Sequence, residues 1–367
     1  MKIARLIVAA SEQDANLLYA TGLFAPDAFI YFSVAGRQYV VMSDLEIDRA
    51  RRQATVDRVL SLSQYQKKYD VRTLGDLLPK LLREFGVGIV EVPANFPIGL
   101  VKRLRGLRVK VVPDPFFPAR EIKSALEQRQ LTAALRLAEE GMRAGLNVIR
   151  LSRIGQDRYL YWRRQRLTSE HVQGVINATI ASLGGNAAHT IVAGGNQGCD
   201  PHETGHGPLR AHLPIICDIF PRNLKTGYWG DITRTVVRGR ASERVRTMFA
   251  LVAKAQELAV QQFRAGVDGQ AVHSAVRGLF DKHGFTTGRR QGRMQGFFHG
   301  TGHGVGLEIH EAPRVAPVPA ILQVGHVVTV EPGLYYPGTG GVRLEDVVVI
   351  TAHGCRNLTR FPKFLEV

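Results

Sequence analysis

Short apolar runs alternate with helical patterns along the first 115 residues. Apolar residues recur at helical spacing over residues 74–85, and Ser43 is a candidate N-cap for a helix beginning at Asp44. Strand patterns cover residues 28–34, 38–42, 88–92 and 109–112. This alternation predicts a small α/β domain over residues 1–119, because a proline-rich stretch ending at Pro118 then interrupts the chain.

The pattern after residue 120 is different, because pairs of strands alternate with pairs of helices. A long helical pattern over residues 120–150 opens this part, and further helical patterns cover residues 168–183, 242–264 and 270–282. Strand patterns cover residues 190–193, 214–220, 233–237, 327–336 and 342–351. We therefore expect a second domain, of α+β class, over residues 120–367.

Composition excludes several classes of protein. No apolar run in the 367 residues approaches the roughly 18 that span a membrane, and the apolar stretch near the N-terminus is too short for a secretory signal. The three cysteines form no CxxC pair and are odd in number, which is typical of a reducing compartment. These observations predict a cytoplasmic protein without a membrane partner.

The formal net charge of +16 raises the question of an anionic partner. The densest basic stretch, residues 102–110, has no interleaved aromatic residues and no nucleic-acid recognition motif. We interpret it as a solvated surface and expect no specific nucleic-acid partner.

Chemistry is concentrated in the second domain, where all twelve histidines lie after residue 170. Asp218 interrupts an apolar run that otherwise predicts a buried strand, and Asp231 stands thirteen residues later at the head of another. A hairpin would bring the two carboxylates together, and two buried like charges need a cation between them.

A second pair of acidic residues follows the same rule. Glu331 and Glu345 each interrupt a strand rich in β-branched residues, and between the two aspartates and these glutamates lies the glycine-rich segment HGTGHGVGLEIHE, which contains His299, His303 and His310. Four carboxylates carry a charge of −4, which two divalent ions would neutralise at a separation of about 3.5–4 Å. Oxygen-rich ligation with one imidazole suits Mn, Co or Zn.

These segments resemble the pita-bread metallopeptidases, namely methionine aminopeptidase, aminopeptidase P and prolidase. The resemblance rests on GYWGDITRT, HGTGHGVGLEIHE, VEPGLYY and GVRLEDVVVIT, in that order, and covers residues 120–367 well. In the N-terminal part, ANLLYATG and REIKS look like aminopeptidase P and prolidase, whereas methionine aminopeptidases lack this domain. The resemblance implies a pita-bread catalytic domain preceded by a creatinase/prolidase-type domain, and cleavage of Xaa-Pro bonds.

The resemblance also implies roles for individual residues. The metal ligands would be Asp218, Asp231, His303, Glu331 and Glu345, with Glu331 also shuttling the catalytic proton. His202 and His310 match catalytic residues that bind substrate, and His310 would stabilise the oxyanion. His299 is a candidate for the substrate pocket, and Arg343 matches an arginine that orients ligands. The implied partners are peptides with proline at the second position, and the implied assembly is a homodimer.

One departure and two alternatives remain. The two aspartates are about two residues further apart than the resemblance leads us to expect, which indicates a lengthened turn at residues 221–226. A catalytically silent relative that binds protein or nucleic acid, or a metal-free creatinase-like hydrolase, would lose ligands that this chain retains. The sequence does not separate prolidase from aminopeptidase P.

Overall fold

The computed structural model describes all residues from Met1 to Val367 and divides the chain into two compact units, Met1–Arg120 and Glu121–Val367. A 3₁₀ helix at Pro118–Glu121 contains the boundary. No helix combines the length and the apolar content needed to cross a bilayer. Each unit has cores of its own, which we describe in turn.

The first unit is a mixed sheet covered by helices. Its six strands run in the order β4-β3-β2-β1-β5-β6. The central strand β1 pairs antiparallel with β2 and parallel with β5. The strands are β1 Lys2–Ala9, β2 Phe29–Val34, β3 Arg37–Met42, β4 Arg58–Ser61, β5 Val87–Pro93 and β6 Arg108–Val112, and the helices are α1 Ala15–Thr21, α2 Ile47–Gln53, α3 Leu62–Tyr69, α4 Leu74–Glu84 and α5 Ile98–Val101.

Alternation along β1 produces a core on each face of this sheet. Leu6 and Val8 join one cluster, with the apolar side of α4 around Leu78, and Ile7 joins the other, with Leu17 of α1. Successive side chains of a strand point to opposite faces, so both faces are covered. The predicted α/β class of this part is confirmed, but the helix expected at Asp44 begins three residues later, at Ile47.

The second unit packs two pairs of helices against several small sheets. The helices α6 Ala125–Leu151 and α7 Ser169–Ser182 form one pair, and α8 Glu243–Gln262 and α9 Gly269–Lys282 form the other. Its strands are β7 Arg153–Ile154, β8 Leu160–Trp162, β9 Gln165–Arg166, β10 Gly185–Asn186, β11 Ile191–Gly194, β12 Pro214–Ile219, β13 Arg222–Asn223, β14 Ile232–Val237, β15 Gly288–Arg290, β16 Arg293–Gln295, β17 Gly302–Gly304, β18 Glu311–Val315, β19 Val327–Val330, β20 Gly333–Tyr336, β21 Gly340–Arg343, β22 Asp346–Ile350 and β23 Cys355–Asn357.

Two sheets of the second unit carry the candidate site. One has the order β11-β12-β14 and the other β18-β17-β19-β22-β23, while β20 and β21 form a separate pair. The apolar sides of α8 and α9 bury one large core against β19 and its neighbours, with Met248, Val276 and Val328 fully buried. The core therefore holds the strands that end at the site, and the α+β organisation predicted for this part is confirmed.

Two of the predicted strands are broken in the structure. Residues 327–336 form β19 and β20 in different sheets, and residues 342–351 form β21 and β22. The breaks fall at Glu331-Pro332 and at Leu344-Glu345. A proline cannot donate to a sheet ladder, and each glutamate turns out of its strand where the chain changes sheet.

Candidate metal centre and active site

The two aspartates are brought together by the pairing of β12 with β14. Ile219 pairs with Ile232 in an antiparallel register, so Asp218 near the end of β12 faces the start of β14, which Asp231 immediately precedes. The lengthened turn between them contains β13, which pairs with β10 in a separate two-stranded sheet. The extra residues therefore leave the strand pairing undisturbed.

The glycine-rich segment passes close to neighbouring backbone. A Cβ atom on Gly302 would lie 2.0 Å from the carbonyl oxygen of Thr329, and one on Gly304 would lie 2.2 Å from that of Ala312. Only glycine permits this approach. The contacts hold β17 between β18 and β19, and His303 at its centre is thereby set beside Glu331 at the end of β19.

Asp231, His303 and Glu345 form the tightest cluster of ligand groups. All three side chains are buried, and one ligand atom from each lies within 4.8 Å of the others. His303 Nδ1 donates to the carbonyl oxygen of Gly304 at 3.0 Å, which leaves Nε2 as the acceptor. That Nε2 lies 3.7 Å from Oδ2 of Asp231 and 3.4 Å from Oε1 of Glu331. This is the tautomer that a metal ligand requires.

Burial and mutual repulsion raise the pKa values of the acidic groups. Burial, followed by the charges of Asp218 and Glu331, raises the pKa of Asp231 well above its usual range. The pKa of Glu345 is raised well above its usual range by burial and by Asp231, and that of Glu331 to about 7, chiefly by burial. Burial and the nearby His310 lower the pKa of His303 to about 3. Closely spaced acids that resist ionisation are characteristic of a site built for cations.

Asp218 is the fourth carboxylate of the cluster. Its Oδ2 accepts a hydrogen bond from Arg343 Nη2 at 2.6 Å, and its Oδ1 is buried without any hydrogen-bond partner. A carboxylate oxygen left unsatisfied in a buried place is costly. The oxygen is thus available to a divalent ion, and the donor set of four carboxylates and a neutral imidazole fits such ions.

Arg343, His299 and Asp218 belong to one hydrogen-bond chain. His299 Nδ1 donates to the carbonyl oxygen of Gly300 at 2.8 Å, and its Nε2 accepts from Tyr335 Oη at 2.8 Å. Tyr335 Oη in turn accepts from Arg343 Nη1 at 2.9 Å. Both ring nitrogens of His299 are therefore occupied, and this residue contributes the surface of its ring to the cleft rather than a free hydrogen-bonding group.

The predicted residues line one cleft of about 740 Å³. His202 and His310 are exposed there, and the His310 ring meets the His303 ring edge-on at 4.5 Å. Burial and the charge of Arg314 lower the pKa of His310, which therefore stays neutral at pH 7. The apolar part of the wall consists of Ile191, Pro201, Phe220, Phe298, Ile309 and Ala316.

Sequence reasoning missed several groups at this site, among them His189, Arg314 and Lys123. Arg314 is an exposed cleft residue in β18 whose side chain makes no hydrogen bond or ion pair within the chain, so its guanidinium is free for a ligand. Lys123 Nζ lies 2.7 Å from Glu311 Oε2, in an ion pair whose side chains are 1% and 7% exposed. This ion pair fixes the position of Glu311, which directly follows His310. Lys123 lies within the REIKS segment that carries the resemblance, whereas Arg314 lies three residues after the segment HGTGHGVGLEIHE and had no signal of its own.

Comparisons with known proteins agree with this geometry. The chain is 26% identical to the Xaa-Pro dipeptidase of Pyrococcus horikoshii, over 95% of this chain and 91% of that protein. It is 36% identical to the uncharacterized peptidase YqhT of Bacillus subtilis, over 48% of each chain.

Solved structures share the whole fold at lower identity. The structure superposes on the X-Pro aminopeptidase of Thermotoga maritima with a TM-score of 0.83 at 24% identity, covering 100% of this chain and 98% of that one. The Xaa-Pro dipeptidase of Bacillus anthracis gives 0.84 at 24% identity, covering 100% and 95%. The predicted arrangement of an N-terminal α/β domain and a pita-bread domain is thereby confirmed.

The family profile described as Metallopeptidase family M24 matches residues 129–352, a segment that contains every ligand group of the cleft. The chain belongs to metallopeptidase family M24.

Proposed function

We propose that this protein hydrolyses the Xaa-Pro bond at the N-terminus of peptides or in dipeptides, with two divalent metal ions (Mn, Co or Zn) held by Asp218, Asp231, His303, Glu331 and Glu345. The observation that carries the proposal is the convergence of four carboxylates and the free Nε2 of His303 in one cleft. Arg343 is the buried cation bonded to this group, and four carboxylates exceed its single charge. Divalent ions compensate the remainder.

When bound, such ions acidify a water molecule and polarise the scissile carbonyl. Glu331, whose pKa is raised to about 7 chiefly by burial, is suited to accept the proton from the attacking water and to return it to the leaving amine. The neutral imidazole of His310 at the cleft surface is suited to donate to the developing oxyanion. His202 is another exposed imidazole of the cleft and is available to the substrate.

The residues that line the cleft support a preference for proline after the cleaved bond. The bond before proline is a tertiary amide without an N–H, so recognition depends on the shape of the pyrrolidine ring. Phe298, Ile309 and Phe220 supply apolar surface for that ring. Arg314 supplies a free cation in the same cleft, which suits the carboxylate of a dipeptide. On this ground we favour the dipeptide over longer peptides.

The compartment and the assembly are part of the same proposal. The three cysteines are unpaired, which suits a reducing cytoplasm. The homodimer rests on resemblance to prolidase and aminopeptidase P. Gel filtration with light scattering would measure the assembly directly, and a monomer at micromolar concentration would contradict that part of the proposal.

One assay tests the function and its substrate length. Protein loaded with Mn or Co is given Ala-Pro, Ala-Pro-Ala and, as the matched control without proline, Ala-Ala. We expect Ala-Pro to be cleaved fastest and Ala-Ala to be spared. Preference for Ala-Pro-Ala would assign aminopeptidase activity instead, and no cleavage together with no bound metal would support the silent binding protein.

A further inference from the structure

A second chemically distinctive surface lies in the small sheet β7-β8-β9. Residues 153–166 contain five arginines, the single acid Asp157, and the aromatic residues Tyr159, Tyr161 and Trp162. None of these residues lines the cleft. The Xaa-Pro chemistry therefore leaves this surface unexplained.

The strand register puts arginines and tyrosines on one face. Arg153 pairs with Tyr161, and Tyr161 pairs with Arg166 on the other side, so the three side chains form a row across the sheet. The guanidinium of Arg166 lies 4.4 Å from the ring centroid of Tyr159, and that of Arg210 lies 5.0 Å from it. We call these five residues the basic sheet face. The other side of the sheet holds the buried Leu160, so the basic sheet face is turned to solvent.

Most of the arginines around this face have no acidic partner. Asp157 accepts hydrogen bonds from Tyr161 and Arg166, both at 2.9 Å. The remaining arginines, which make no ion pair within the chain, are Arg153, Arg158, Arg163, Arg164 and Arg210. A concentration of uncompensated guanidinium groups creates a positive potential that attracts an anionic partner.

The two-residue turn of the β8–β9 hairpin is formed by two arginines, although its backbone conformation favours other residues. Arg163 and Arg164 occupy left-handed backbone conformations, with φ values of 45° and 73°. Two-residue turns with positive φ at both positions favour Asn-Gly, because other residues cost free energy there. Arginine side chains at this place weaken the hairpin, so a role outside folding accounts for them better.

We propose that the basic sheet face and the Arg163-Arg164 tip bind single-stranded nucleic acid without sequence specificity. The unpaired guanidinium groups would neutralise phosphates, and the tyrosine rings with the guanidinium groups that lie over them would offer flat surfaces on which bases stack. We favour nucleic acid over an acidic protein because the arginines around this face lie beside tyrosine rings, an arrangement that serves phosphates and bases together. The proposal is independent of the peptidase activity.

The test replaces the two tip residues with the pair that the turn prefers. Arg163→Asn with Arg164→Gly removes two charges while relieving the backbone, so the variant should fold with a Tm equal to or above that of the unchanged chain. Binding of a labelled 20-nucleotide single strand is followed by fluorescence anisotropy between 50 and 300 mM salt. We expect an approximately tenfold weaker Kd at 100 mM salt and a salt slope smaller by roughly 1.4, the value for two phosphate contacts on a single strand.

The matched control removes the same charge from the basic stretch without aromatic residues, by Lys102→Gln with Arg108→Gln. Both control residues are exposed and make no ion pair. We expect the control to bind like the unchanged chain, and both variants to cleave peptides at the unchanged rate. Equal weakening by both variants would assign the binding to net charge alone, and competition by polyglutamate at equal charge would assign it to an acidic protein. Either result would overturn the proposal.

Discussion

Glu331 is the residue at which ligand and proton-transfer roles would coincide. It follows β19 directly, and its Oε1 lies 3.4 Å from Nε2 of His303. Glu331→Gln keeps the shape but removes the basic oxygen, so kcat should fall by about 10²–10⁴. The measurement is Ala-Pro hydrolysis at saturating Mn, with circular dichroism and metal content recorded for the same sample. Retained turnover with metal bound would remove Glu331 from the proton-transfer role.

Arg314 is the residue that should separate dipeptides from longer peptides. Its guanidinium has no partner within the chain, whereas a dipeptide would place a carboxylate in the same cleft. Arg314→Met keeps the length of the side chain and removes its charge. The loss of a charged hydrogen bond costs about 1.5–3 kcal/mol, so KM for Ala-Pro should rise roughly 10- to 150-fold.

Arg314→Lys is the control for that variant, since it restores the charge without the planar fork, and it should recover part of the affinity. The KM for Ala-Pro-Ala, whose carboxylate lies one residue further away, should change less. An equal rise in KM for both substrates would mean that Arg314 does not bind the C-terminal carboxylate of the dipeptide specifically.

At the level of single residues, the sequence identified the acidic groups of the site because they interrupt apolar runs. Asp218 and Asp231 stood out because a buried carboxylate requires compensation. Arg314, in β18, could not be recognised in this way, since an exposed arginine resembles the chain's many other surface arginines. Its proposed role in binding substrate depends on the cleft that strands distant in sequence form around it.

The loop that carries His310 depends on an element at the start of the second unit. Lys123 precedes α6 and pairs with Glu311, and Glu311 Oε1 also accepts from the backbone N–H of Glu308 at 3.1 Å. Lys123→Met should remove one partner of this buried ion pair, which costs about 3–5 kcal/mol. Thermal unfolding would record this loss as a lower Tm.

A second substitution, at Glu311, distinguishes the effect of the ion pair on stability from its effect on the position of the His310 loop. Lys123→Met combined with Glu311→Gln removes both charges, so most of the lost stability should return, while the disturbed His310 loop should still lower kcat for Ala-Pro. If the double variant regains full activity as well as stability, the pair serves only the fold. If neither variant loses stability, the ion pair is not formed in solution.

The elements themselves were predicted unevenly, for reasons that lie in their side chains. Helix α6 was expected from residue 120 but begins at Ala125, where Ser124 and Glu127 form a capping box. The strands expected as single runs over 327–336 and 342–351 break at the two glutamates, because apolar content does not reveal where a strand changes sheet. The β7-β8-β9 sheet was missed, since its arginine-rich pattern resembles a loop.

At the scale of the whole molecule, the sequence indicated two units but not their strand order. The six-stranded sheet places β5 beside β1, although 77 residues separate Ala9 from Val87 at their ends. No local pattern encodes such a pairing, because contacts between distant strands depend on how helices cover both faces. The class of each unit follows from periodicity, whereas the topology required the structure or the resemblance to a family.

The stability of the whole molecule should depend on the cations that we propose for its cleft. Asp231 and Glu345 are 4% and 2% exposed. The pKa of Asp231 is raised by burial and by the charges of Asp218 and Glu331, and the pKa of Glu345 is raised by burial and by the charge of Asp231. A ligand that binds only the folded state stabilises it by about 2.7 kcal/mol at a hundredfold excess over Kd. Adding Mn to chelator-treated protein should therefore raise Tm by roughly 3–5 °C. Asp231→Asn should act in two ways. Without metal it relieves repulsion, so its Tm should exceed that of the unchanged chain, and because a ligand is lost, adding Mn should hardly change the Tm of the variant. Circular dichroism melts of both proteins, with and without Mn, measure all four values. A metal-free Asp231→Asn protein that melts lower would show that this carboxylate contributes to the fold by a bond other than one to a cation, and an unchanged Tm on adding Mn would remove the metal centre from the proposal.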